Sequence, residues 1–148
     1  MTPTITPTVI YRPQFKFPTP VGFRDVPHEY YMNIFSTGVA AGITSDWTPF
    51  QLDDDADFYC RALCGDLNNG TTNFLINFRD SSLRNFFSDL ILAETVIGGM
   101  AGPSYVLNEE VFFPKASHIE VQVSNPTNAT IYPTPVLRGI KRCRGCSA

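Results

Sequence analysis

The chain has 148 residues, a length that suits one domain. It is 43% hydrophobic and 17% charged, which excludes wholesale disorder, and its net charge of −3 argues against whole-surface nucleic-acid binding. There is no apolar run long enough to span a bilayer and no basic-then-apolar start of a secretory signal, so neither a membrane nor an export route is expected.

Residues 1–27 hold six of the twelve prolines, at positions 3, 7, 13, 18, 20 and 27. Proline fixes φ and removes a ladder donor, so this stretch is predicted to be an extended arm outside any sheet. It is too apolar for a free linker. Ile10, Tyr11, Phe15, Phe17 and Phe23 are its candidate partner-binding residues.

From about residue 29 the pattern is strand-like. Met32 and Ile34 alternate with Asn33 and Phe35, and Ile43 to Phe50 reads as a short strand around Trp47. Over 57–64, Phe58, Cys60, Ala62 and Cys64 are predicted on one face, with Tyr59, Arg61 and Leu63 on the other. Asn69-Gly70 marks a hairpin turn, after which Phe74, Ile76 and Phe78 line one face. Residues 83–96 fit either helical or strand spacing, so at most a short helix is expected there. Val111–Phe113 is a short strand closed by Pro114. Ile119, Val121 and Val123 alternate strictly with polar neighbours, and residues 130–140 form the last strand, with Pro133 and Pro135 suggesting an edge or a bulge. About eight short strands predict an all-β antiparallel sandwich, with a jelly roll as the leading form. The expected division is an arm over 1–27, a sandwich over 28–142 and a Cys-containing tail over 143–148.

No catalytic residues and no cofactor emerge. Cys60-x-x-x-Cys64 and Cys143-x-x-Cys146 offer four sulfurs for zinc, with Cys143 and Cys146 its nearest candidates. A strand, however, would set the Cα atoms of Cys60 and Cys64 roughly 13 Å apart, too far for one metal or a mutual bridge. Free thiols are expected for the cysteines, with Cys60 and Cys64 as small core residues. A Cys143–Cys146 disulfide or a cross-link from one pair to the other is the second option. Asp53, Asp55 and Asp57 begin a calcium-loop spacing, but Phe58 stands where a glycine is needed and Cys64 where a glutamate is needed. Asp53, Asp54 and Asp55 then read as a solvated acidic turn, an acidic contact to a basic partner or a divalent-ion contact. His28 and His118 are solitary, and no nucleophile elbow or phosphate loop occurs, so an enzyme is not expected. Arg138, Lys141, Arg142 and Arg144 make a basic stretch without the interleaved aromatics of a single-strand binder, which favours a protein contact or a solvated tail over nucleic acid. Tyr30, Tyr31, Phe35 and Trp47 are predicted as core residues rather than ligand stackers.

Phe50-Gln51-Leu52, Asp57-Phe58, Phe74 to Asp80, Val111-Phe112-Phe113-Pro114, Lys115 to Val121, Ser124-Asn125 and Val136 to Lys141 follow one another in an order that resembles small structural proteins of tailed bacteriophages, including jelly-roll capsid cement (decoration) proteins. The resemblance spans residues 50–142 and consists of strand and turn positions. It implies a virion protein made in the host cytoplasm and carried on the capsid surface. Such a protein would bind the major capsid protein, link neighbouring subunits and stabilise the capsid, as a homo-oligomer, with a trimer expected. Neck, collar, tail and baseplate proteins share the pattern, and a carbohydrate- or receptor-binding jelly roll is a further alternative. Gly139 is expected where the last strand bends or meets another backbone.

Overall fold

The computed structural model describes residues 18–66, 74–97 and 105–144. The described chain is built of strands β1 (Arg24–Tyr31), β2 (Thr48–Gln51), β3 (Asp57–Asp66), β4 (Leu75–Arg79), β5 (Ile91–Leu92), β6 (Tyr105–Phe113), β7 (His118–Ser124) and β8 (Thr134–Cys143), with a one-turn helix α1 (Ala93–Val96) after β5. They form two four-stranded antiparallel sheets, ordered β1-β8-β3-β6 and β2-β7-β4-β5. The first strand pairs with the last, the second with the seventh, the third with the sixth and the fourth with the fifth. A chain that doubles back on itself between β4 and β5 and is then wound into two layers has this pairing. The protein is thus an all-β two-sheet structure, as expected.

One hydrophobic core joins the sheets. Phe58 and Phe113 of the first sheet lie 6.4 Å apart by ring centroids, Phe86 lies 6.3 Å from Phe113, and Phe78 of the second sheet lies 5.8 Å from Phe86. Tyr30 of β1 reaches Phe50 of β2 at 5.9 Å. Ile119, Val121 and Val123 are fully buried, and the polar residues between them are only partly so, as the strict alternation of β7 requires.

Two differences from the sequence reading have physical causes. Strand pairing begins at Arg24, so the expected boundary between residues 27 and 28 falls inside β1, where Pro27 stands opposite Ile140. β1 is an edge strand, and an edge strand tolerates a missing donor. Second, the register of β3 shifts between Cys60 and Ala62 against both of its neighbours. Against β8, Arg61 is the extra residue of a β-bulge, and a bulge reverses which side chains face inward beyond it. Phe58, Cys60 and Leu63 therefore join the core, while Ala62 and Cys64 fall outside that cluster. The predicted single face of Phe58, Cys60, Ala62 and Cys64 is broken at Arg61. Gly139 is the partner of this bulge, because a Cβ there would stand 1.9 Å from the Tyr59 carbonyl oxygen.

Candidate functional site at the root of the N-terminal segment

Near its end β8 carries two adjacent cations, Lys141 and Arg142, which strand alternation sends to opposite faces of the sheet. Arg142 lies on the outer face, in register with Asp25 on one side and Asp57 on the other. Its guanidinium donates from Nε to Asp25 Oδ1 at 2.8 Å and from Nη2 to Asp25 Oδ2 at 3.1 Å. It also donates from Nη1 to the Pro18 carbonyl at 3.1 Å and from Nη2 to Thr19 Oγ1 at 3.1 Å. The Thr19 hydroxyl in turn donates to Asp25 Oδ2. The planar cation lies 4.4 Å from the centroid of the Tyr59 ring. Such a fork binds a carboxylate with two parallel bonds and stacks on an aromatic face at the same time, which an ammonium cannot do. One side chain thereby fixes the chain at Pro18, Thr19 and Asp25.

The electrostatics agree with this geometry. Hydrogen bonds from Arg142 hold the Asp25 carboxyl below its ordinary range, against the opposing effect of partial desolvation. The bond to Asp25 raises the affinity of Arg142 for its proton. Phe23 is partly exposed, and the Arg144 guanidinium lies 5.0 Å from its ring centroid. Phe23 is the one predicted partner-binding residue that falls within the described residues. Ile10, Tyr11, Phe15 and Phe17 lie outside them.

Lys141 sits on the inner face at the rim of the core. Its ammonium donates to Asp53 Oδ2 at 2.6 Å and to Asp55 Oδ1 at 3.0 Å, and lies 5.6 Å from the Tyr30 ring centroid. The Tyr30 hydroxyl accepts from the Asp53 amide at 3.2 Å. Desolvation lowers the affinity of Lys141 for its proton, but the bonds to Asp53 and Asp55 outweigh it and the net shift is upward. The bond from Lys141 holds the Asp55 carboxyl low. His28 stands 4.0 Å from Asp53, and burial, then the Lys141 charge, depress its pKa below the usual histidine value. The acidic turn thus closes on a lysine ammonium.

The cysteines divide. Cys60 and Cys64 are buried free thiols, and burial pushes the Cys60 thiol well up, which makes it inert. Cys143 is disulfide-bonded, where the sequence favoured a free thiol. A disulfide sulfur is not the thiolate that zinc requires. Of the four aromatics predicted as core, Tyr30 and Phe35 are buried, Tyr31 is half exposed, and Trp47 lies under Arg79, whose guanidinium is 4.3 Å from its ring.

A groove of about 480 Å³ opens beside β6, walled by Asp80, residues 84–87, Tyr105 and residues 107–112. Two buried polar side chains shape its wall. Asn77 donates to the Phe87 carbonyl at 3.0 Å and accepts from the Phe87 amide at 3.2 Å, while Asp80 accepts from the amides of Ser82 and Arg84. Sequence reasoning missed both the groove and the role of Arg142. Position 142 looked like one member of a basic run, and only the β1–β8 register brings Asp25 opposite it.

No protein-family model, curated protein or solved structure matches the chain.

Proposed function

We propose that this protein is a structural component of a tailed-bacteriophage virion, a jelly-roll cement protein that binds the outer shell and joins neighbouring major capsid protein subunits through its N-terminal segment. The resemblance of residues 50–142 suggests the family of roles, and the nested pairing of first strand with last supports the jelly-roll reading. The observation that carries the mechanism is the Arg142 anchor. A segment that is to bear load between subunits needs a fixed root, and here Pro18, Thr19 and Asp25 are bound by a guanidinium that is almost fully buried. The residues before Pro18 are apolar and rich in proline, so they lose less conformational entropy on docking than an ordinary peptide. Binding through both domain and segment gains from high effective concentration. The protein acts mechanically, without a chemical step.

The test is decoration of undecorated shells by the full chain and by a chain lacking residues 1–17. Truncation is expected to weaken shell binding at least about tenfold while leaving thermal unfolding unchanged. Equal decoration by both chains would refute the role given to the segment. Copy number separates a cement protein, present throughout the shell, from a neck, collar or baseplate protein, present in a handful of copies.

A further inference from the structure

Strand alternation gives the sheet β1-β8-β3-β6 an outer face that the core between the sheets does not use. Arg142, Ile140 and Val136 of β8 point to it, in register with Tyr59 and Cys64 of β3 and with Asp25, Pro27 and Tyr31 of β1. The outer face of such a sheet is ordinarily wet and polar. Here its centre is neither. Val136 and Cys64 are each 1% exposed, and Ile140 and Tyr59 are buried too, yet none of the four belongs to the cluster between the sheets. Arg142 stacks on Tyr59, but Val136 and Cys64 lie six positions further along β8, beyond its reach. The flanks are open by contrast, with Pro27 and Tyr31 exposed on β1 and Val106 exposed on β6. The covered strip is therefore two strands wide, roughly 10 Å, which is the width of one extended chain with its side chains.

We infer that this strip is the seat of residues 1–17 of the same chain in the free protein. The root is in place: Pro18 and Thr19 are bound to Arg142 on this face, so the segment starts over one end of the strip. Its length suffices. From Arg142 to Val136 is roughly 20 Å at about 3.3 Å per strand residue, and seventeen residues extended at about 3.1 Å each span roughly 50 Å. Its chemistry fits as well. Ile10, Tyr11, Phe15 and Phe17 offer apolar surface to Ile140, Val136 and Tyr59, and Pro3, Pro7 and Pro13 favour an extended course. Proline lacks a donor, so the segment packs by its side chains on a face rather than adding to a sheet edge. Nothing in this depends on the virion role. In an assembly, an identical segment exchanged between copies finds the same seat on the next copy, the arrangement of a domain swap. The segment must leave its own seat to do so, so its docking is a local equilibrium that precedes global unfolding.

Labelling of the purified full-length chain with N-ethylmaleimide under non-reducing conditions tests this, because Cys64 lies in the covered strip while Cys60 lies in the core and serves as an internal control. Removing residues 1–17 is expected to speed modification of Cys64 by at least about tenfold and to leave Cys60 unchanged. Phe15→Ser combined with Phe17→Ser in the full-length chain is expected to speed it by at least about threefold, which keeps the test decisive if the shortened chain folds poorly. The protection of Cys64 in the full-length chain is expected to be the same at every protein concentration, since seat and segment belong to one chain. Three results would overturn the inference: a Cys64 rate that is the same with and without residues 1–17, an equal acceleration at Cys60, or a protection that is lost on dilution, which would assign the segment to another copy.

Discussion

Lys141 and Arg142 are neighbours in one strand, carry the same charge and each hold aspartates, yet they occupy different physical regimes. The Lys141 side chain is 11% exposed, but its partners Asp53 and Asp55 are 54% and 62% exposed. Arg142 is 6% exposed and its partner Asp25 24%. Exposed acceptors keep most of their hydration, so the lysine tether gains little and serves to close the turn between β2 and β3. The arginine anchor is shielded, bidentate and stacked, so removing it strands the partly buried Asp25 carboxylate. Adjacent positions thus give one loop clasp and one structural root, and the difference comes from where alternation points each side chain.

The comparison can be broken at its base by Gly139→Ala. A Cβ there meets the β3 backbone, so β8 cannot keep its register and both tethers are displaced. The expected cost is about 3 kcal/mol or more, read as a drop in the urea midpoint or as loss of soluble protein. Arg142→Ala comes next, at about 3 kcal/mol, and Arg142→Lys is expected to recover less than about half of it, because an ammonium cannot make the paired bonds. Limited proteolysis of Arg142→Ala should also show faster cleavage near residues 18–24. Lys141→Met should cost about 1 kcal/mol or less in the same urea measurement.

Acid sharpens the contrast further. Asp25 and Asp55 are both held below their ordinary values. Each therefore stabilises the fold above the unfolded value of about 3.9, and that stabilisation is lost as pH falls through the lowered values. His28 is depressed as well, so its smaller contribution is present above about pH 6.5 and is lost as pH falls. Urea midpoints measured against pH should decline gently below about 6.5 and steeply below about 4. Asp25→Asn should flatten the steep part, whereas Asp55→Asn should change it little, since Asp55 is mostly exposed.

Much of the fold was legible in the sequence because alternation and turn residues are local signals. The strict pattern of 119–123 located β7, and Asn125, which accepts from the Thr127 amide and donates to the Ala129 carbonyl, ends it as a turn residue would. Gly139 was readable as either a bend or a close approach of two backbones, and the structure shows the close approach. The inward face of β3 was not readable past Arg61, since a bulge is set by the partner strand and leaves no mark in the local pattern. β1 was placed too late because proline was weighed as a breaker, and its edge position, which removes the penalty, is a tertiary fact. The Arg142 anchor joins residues more than a hundred positions apart, so no spacing rule could find it.

The most direct measurement is the position of this protein on an intact particle, determined by electron cryomicroscopy. Density for the two-sheet domain over the outer shell in many copies, with the N-terminal segment crossing from its Arg142 root to the next subunit, is the predicted result. Absence from the shell, or a few copies confined to the neck or tail, would contradict it.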